Sequence, residues 1–143
     1  MAKLTVKTDV PLEAQDTWDK ASYLPDFDKW LVVHDGWRSE LPGELTSGTV
    51  ITSVVTVKGL RNRVTWTIKE YDAPRRLVLK GDGKGGVKLG LVLEVESSGG
   101  SSVVAFTIEL GGAPLFGPIG SGVARALKGD IEKSLSTFVE LYS

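Results

Sequence analysis

VKLGLVLEVESSGGSSVVAFTIEL, residues 87–110, is the stretch that decides the fold. Val87, Leu89, Leu91, Leu93 and Val95 alternate with Lys88, Gly90, Val92, Glu94 and Glu96. After Ser97–Gly100, Val104, Phe106, Ile108 and Leu110 alternate with Val103, Ala105, Thr107 and Glu109. A period of two puts each apolar set on one face of a strand. A short serine- and glycine-rich loop between the two runs makes them antiparallel neighbours. The pair is a hairpin with one apolar face, and such a face has to be covered.

Upstream, the chain supplies more of the same sheet. Leu4, Val6 and Thr8 alternate with Lys3, Thr5 and Lys7 in a first strand, Lys3–Val10. Trp37–Leu41 reads as a short strand ended by Pro42-Gly43. Gly48–Lys58 is rich in β-branched residues. Gly59–Asn62 turns the chain into Val64, Trp66 and Ile68, which alternate with Arg63, Thr65, Thr67 and Lys69. Ala73-Pro74 turns it again into Arg76–Lys80. Between the first two strands lie two short helices. Pro11 suits a helix start, and Ala14, Trp18 and Ala21 share one face. Phe27, Trp30 and Leu31 share another after Leu24-Pro25.

The C-terminal segment changes period. Val123, Leu127, Ile131, Leu135 and Phe138 recur every three or four residues, opposite Arg125, Lys128, Glu132, Lys133 and Glu140. This is a long amphipathic helix that starts at Gly117-Pro118 or at Ser121-Gly122. Gly129 inside it is either a close backbone contact or simply tolerated, at about 1 kcal/mol against Ala. The expected architecture is α+β, a helix-grip fold: β-α-α, six strands, then α. One curved antiparallel sheet wraps one long helix in a single domain, 1–143. Sheet and helix do not fill the space between them, which leaves an apolar cavity of the kind that takes small ligands.

Composition limits the alternatives. The chain has 143 residues, no cysteine, and 17 basic against 18 acidic residues for a net charge of −1. Disulfides and thiolate metal sites are closed to it, and there is no general pull toward nucleic acid. No stretch approaches the roughly 20 apolar residues of a membrane span, and the N-terminus lacks the apolar core of a secretory signal. A cytoplasmic location is expected, with neither cofactor nor metal.

Particular residues carry a family resemblance. They are Trp18 in the first helix, Leu24-Pro25 through Trp30 in the second, Gly48-Thr49 opening a long strand, and Val57-Lys58-Gly59 before a turn. Trp66, Pro74 and the helix after Gly111-Gly112 complete the set. In this order they resemble the START-like superfamily, also called SRPBCC or birch-pollen-allergen-like, and within it the bacterial polyketide cyclase/dehydrase and lipid-transport branch. The resemblance spans the whole chain. It extends to an actinobacterial subgroup, some of whose members are labelled toxins of toxin–antitoxin pairs. It implies a pocket for lipids, polyketides or other apolar molecules, and enzymatic activity in only some members.

Other constellations have plainer readings. Gly81–Gly86 (GDGKGG) matches G-x-G-x-x-G, but a strand follows where a dinucleotide site needs a helix. It reads as a hairpin turn. His34, the one histidine, lies near Asp35 and Arg38. It is either a rim residue or, with Arg38 and Asp82, a weak catalytic candidate. Arg61, Arg63, Arg75 and Arg76 are interleaved with Glu70 and Asp72, and read as a solvated sheet end rather than a nucleic-acid patch.

The expected function is binding of a small hydrophobic ligand. The expected lining is Trp37, Trp66, Leu89, Leu91, Phe106 and Ile108 from strands and loop, with Phe116, Ile119, Val123 and Leu127 from the helix and its lead. Trp66 reads equally as core or as cavity wall. Two alternatives stand beside this one: an aromatase/cyclase or dehydratase enzyme, and a toxin or other interaction protein with a protein partner.

Overall fold

The computed structural model describes residues 2–41, 43–57, 60–112 and 118–142; for Ala2, Leu60 and 118–121 it describes the backbone alone. Its elements are β1 (Ala2–Val10), α1 (Ala14–Ala21), α2 (Phe27–Trp30), β2 (His34–Trp37), β3 (Val50–Val57), β4 (Leu60–Asp72), β5 (Arg76–Asp82), β6 (Lys88–Ser98), β7 (Ser101–Gly111) and α3 (Pro118–Tyr142). The seven strands form one antiparallel sheet in the order β1-β7-β6-β5-β4-β3-β2. The sheet curls around α3 in a helix grip.

Alternation in the sequence becomes facing in the sheet. Val64, Trp66 and Ile68 of β4, Leu77 and Leu79 of β5, Leu91, Leu93 and Val95 of β6, and Val104, Phe106, Ile108 and Leu110 of β7 are all buried. From the other side, Val123, Leu127, Ile131, Leu135 and Phe138 of α3 are buried against them. This is the expected apolar stripe on the expected helix. Gly129 does not interrupt it: the helix runs through, Gly129 faces solvent, and nothing lies within 4 Å of where its Cβ would stand. Of the two readings of this residue, tolerance is correct.

The sheet register arranges the inward residues in rows across the strands. One row runs Ile51, Trp66, Gly81, Leu89, Leu110; the next Ile68, Leu79, Leu91, Ile108, Leu4; a third Leu77, Leu93, Phe106, Val6. The third row is filled. Trp30 meets Phe106 edge-on at 6.2 Å and Phe138 at 5.2 Å, so α2 and the second half of α3 close over it.

Polar contacts fix that closed end. Ser134 Oγ accepts from Val32 N at 2.8 Å and donates to Asp130 O at 2.7 Å, tying the chain after α2 to α3. Tyr142 Oη donates to Asp26 Oδ2 at 3.1 Å. Thr17 Oγ1 and Ser102 Oγ, both buried, lie 2.6 Å apart and pin α1 to β7.

The bounds of β2 differ from expectation. β2 is His34–Trp37 rather than Trp37–Leu41. The chain joins the sheet one turn after α2, where His34 N donates to Leu31 O and Thr56 N to Val33 O. A register irregularity between His34 and Trp37 breaks the alternation that would have revealed the strand. α2 is a single turn. α3 begins at Pro118, the earlier of its two candidate starts. The GDGKGG segment is the hairpin turn expected of it: Gly85 and Gly86 take positive φ, and Gly83 N donates to Val87 O at 2.8 Å.

Candidate functional site

The first two rows are not filled. Between them, β2, β3 and the first half of α3 lies an apolar cavity of about 40 Å³. Its sheet wall is Trp66, Leu79, Leu89, Leu91, Ile108 and Leu110; β3 adds Ser53, Val55 and Val57. Phe27, Leu31, Val33, His34 and Trp37 close it from α2 and β2, and Leu127 covers it from α3. Half-buried lining residues (Trp37, Val55 and Leu89) mark where it comes nearest to solvent. Pockets that hold drug-sized ligands measure roughly 300–1,000 Å³, so this cavity is well below that size. A ring-sized guest requires lining side chains to move.

Hydrogen bonds hold the two tryptophans in place. Trp66 Nε1 donates to the buried Ser53 Oγ at 2.9 Å, and Trp37 Nε1 donates to Leu24 O at 2.8 Å. Trp37 also lies against His34, with ring centroids 4.6 Å apart, and Phe27 meets both. The His34 ring is 3% exposed, with Nε2 2.9 Å from Asp28 Oδ1. That approach is off the N–H direction, so it is a close ion–dipole contact rather than an aligned hydrogen bond. Burial lowers the His34 pKa below its ordinary value; Asp28 and Asp35 oppose this, and Arg38 adds to it. His34 is therefore a neutral imidazole near pH 7.

Of the residues expected at a binding site, the structure brings Trp37, Trp66, Leu89, Leu91, Ile108 and Leu127 to this one cavity. Phe106 lies one row away, fully buried under Trp30. Val123 is buried on α3 but is not part of the lining. Phe116 and the side chain of Ile119 lie outside the described residues. The three catalytic candidates are not brought together. His34 reaches the cavity. Arg38 is exposed, and Asp82 is exposed and ion-paired with Lys88 on the outer end of β5. Sequence reasoning missed Ser53, Val55 and Val57, which share one parity on β3, and Phe27 and Leu31, which share one helical face; those periodicities were the available signal. Three of the four clustered arginines are ion-paired: Arg61 with Asp35, Arg75 with Asp72, and Arg76 with Glu70 and Glu94.

A curled antiparallel sheet gripping one long helix over an apolar cavity is the architecture of START-like, or SRPBCC, proteins. Solved structures agree on the fold. The chain superposes on a START superfamily protein from Mycobacterium smegmatis with a TM-score of 0.78, 15% identity and 99% of each chain covered. It matches Ara h 8.0201 with a TM-score of 0.71 and 13% identity, covering 99% of this chain and 97% of that one. The family model described as polyketide cyclase / dehydrase and lipid transport matches residues 1–142, and the chain belongs to that family. Two similar proteins come from Mycobacterium tuberculosis strain H37Rv. One, named Uncharacterized protein Rv1546, is 50% identical over 142 residues and 99% of each chain. The other, named Toxin Rv0910, is 48% identical over 143 residues, all of this chain and 99% of that one. Among the described residues, no helix is long and apolar enough to cross a membrane.

Proposed function

We propose that this protein binds a small hydrophobic molecule between the sheet and the first half of α3, as a cytoplasmic carrier or sensor. The observation that carries the reading is where the unfilled space lies. Two rows of the concave face border a cavity walled almost wholly by apolar side chains, while the third row is packed solid. Apolar concavities with a few placed polar groups are where small molecules bind. Membership of a lipid-transport and polyketide cyclase family is consistent with it. The small volume implies that the guest opens the site by displacing lining side chains, with the half-buried Val55 and Leu89 the least constrained.

Native mass spectrometry of the purified protein, joined to titration with an environment-sensitive apolar dye, tests the reading. A co-purified apolar molecule that the dye displaces, together with a change in Trp66 fluorescence, is the expected result. No bound mass, and no amide shift at Trp66, Leu91 or Ile108 at saturating dye, would overturn it.

A second reading, an interaction protein such as the toxin of a toxin–antitoxin pair, draws on two observations. A relative 48% identical over the whole chain is named a toxin. An open groove of about 630 Å³ on the α1 side is lined by the exposed Tyr23 and Tyr71, with Asp19 and Glu44. Growth arrest on expression, relieved by the product of an adjacent gene, would move this reading ahead.

A further inference from the structure

We propose that the ligand of this cavity is electrically neutral and carries one hydrogen-bond acceptor, a carbonyl oxygen, that the Ser53 hydroxyl binds. The proposal rests on the ligand-binding reading above and narrows its chemistry.

An inventory of donors leads to Ser53. Both indole N–H groups in the lining are committed, Trp37 to Leu24 O and Trp66 to Ser53 Oγ. His34 Nε2 lies 2.9 Å from the Asp28 carboxylate without an aligned hydrogen bond, and that carboxylate beside it repels the electron-rich oxygen of a carbonyl guest. Ser53 remains. It is 1% exposed, it lines the cavity, and its oxygen accepts from Trp66. Among the described residues nothing accepts its own proton. A buried hydroxyl without an acceptor is unfavourable, and one that accepts from an indole N–H is polarised into a better donor. A carbonyl entering the cavity would complete the series Trp66 N–H, Ser53 O–H, ligand C=O.

Charge decides the rest. No lysine or arginine is among the described residues of the lining. A carboxylate seated inside would therefore lose its water and find no cation, a cost that unpaired buried ions do not recover. Apolar ketones and aldehydes meet the requirement; an ionised fatty-acid head does not, unless it stays outside.

Three molecules on one bicyclic skeleton test this: indane, 1-indanone and 1-indanecarboxylate, titrated by amide NMR at pH 7.5 into the wild type and Ser53→Ala. Indane and 1-indanone should both shift the cavity resonances, and the carboxylate should bind about a hundredfold more weakly than the ketone. In Ser53→Ala the ketone-to-hydrocarbon affinity ratio should fall about five- to tenfold, the usual effect of one hydrogen bond. Ser53→Ala also leaves Trp66 N–H unpaired, so a measurement on the wild type stands beside it. The infrared carbonyl stretch of bound 1-indanone should lie below its position in cyclohexane. An unshifted stretch, an unchanged ratio, or a carboxylate that competes evenly with the ketone overturns the proposal while leaving apolar binding intact. If none of the three molecules binds, the ligand-binding reading fails with it.

Discussion

Trp66 and Gly81 are register partners on adjacent strands, and the indole lies so close over the glycine that a Cβ there would stand 2.8 Å from Trp66 Cε3 and 2.6 Å from Val64 Cγ1. The missing side chain is the floor on which the indole rests while its Nε1 reaches Ser53 across β3. Gly81→Ala forces the ring upward into the cavity. Overpacking of this kind costs about 1–3 kcal/mol. Urea melts should show that loss, and the Trp66 indole N–H resonance should move as its bond to Ser53 is strained; an unmoved resonance would mean that the strand rather than the ring gives way.

Leu127 and Leu135 lie on the same face of α3, both 2% exposed, but only Leu127 borders the cavity. Truncation to Ala costs about 2–5 kcal/mol in well-packed cores, and the cost rises with how tightly neighbouring atoms surround the side chain. Leu127→Ala should fall near the low end and Leu135→Ala clearly above it in matched denaturant melts. Leu127→Ala should also enlarge the cavity and strengthen binding of the apolar dye. Equal costs for the two would show the cavity to be closed in solution.

Gly129 faces solvent in mid-helix with space around it. Gly129→Ala should stabilise the protein by about 0.5–1 kcal/mol, through helix propensity alone. Thermal unfolding provides the check, and a loss of stability would reveal a contact on that face.

His34 gives stability a defined pH dependence. Its folded pKa lies below the ordinary 6.5, with burial the largest cause. As pH falls, the unfolded chain takes up this proton before the folded one does. The contribution of neutral His34 is therefore complete above about pH 6.5 and is lost as pH falls from there through the folded value. Urea midpoints for wild type and His34→Gln, compared between pH 8 and 5, should diverge in slope only below about 6.5. Parallel curves would mean that Asp28 and Asp35 fully offset the burial.

Much of this fold was legible because one face of each long strand is apolar. Leu89, Leu91 and Ile108 reached the concave side by parity alone, and Leu127 reached it by helical period. Parity is blind to position along the strand. Phe106 and Ile108 have the same parity, but the register puts Phe106 under Trp30 and Ile108 beside open space. Which row is filled depends on where α2 lands, a tertiary fact with no local signature. β2 is hidden from the sequence for a related reason: its four residues are irregularly paired, and its place in the sheet is set by a turn from α2 rather than by its own pattern. Ser53 carries no local signal: it is one small polar residue in a valine-rich strand, and its bond to Trp66 joins residues 13 apart in sequence.

Ser134 and Tyr142 fasten the far half of α3 to the corner formed by α2, while its near half spans the cavity. The helix is thus divided in its duties: Leu127 borders the cavity, whereas Ile131, Leu135 and Phe138 are packed in the core. A change at Leu127 therefore alters the cavity while the Ser134 and Tyr142 bonds that anchor the far half stay in place.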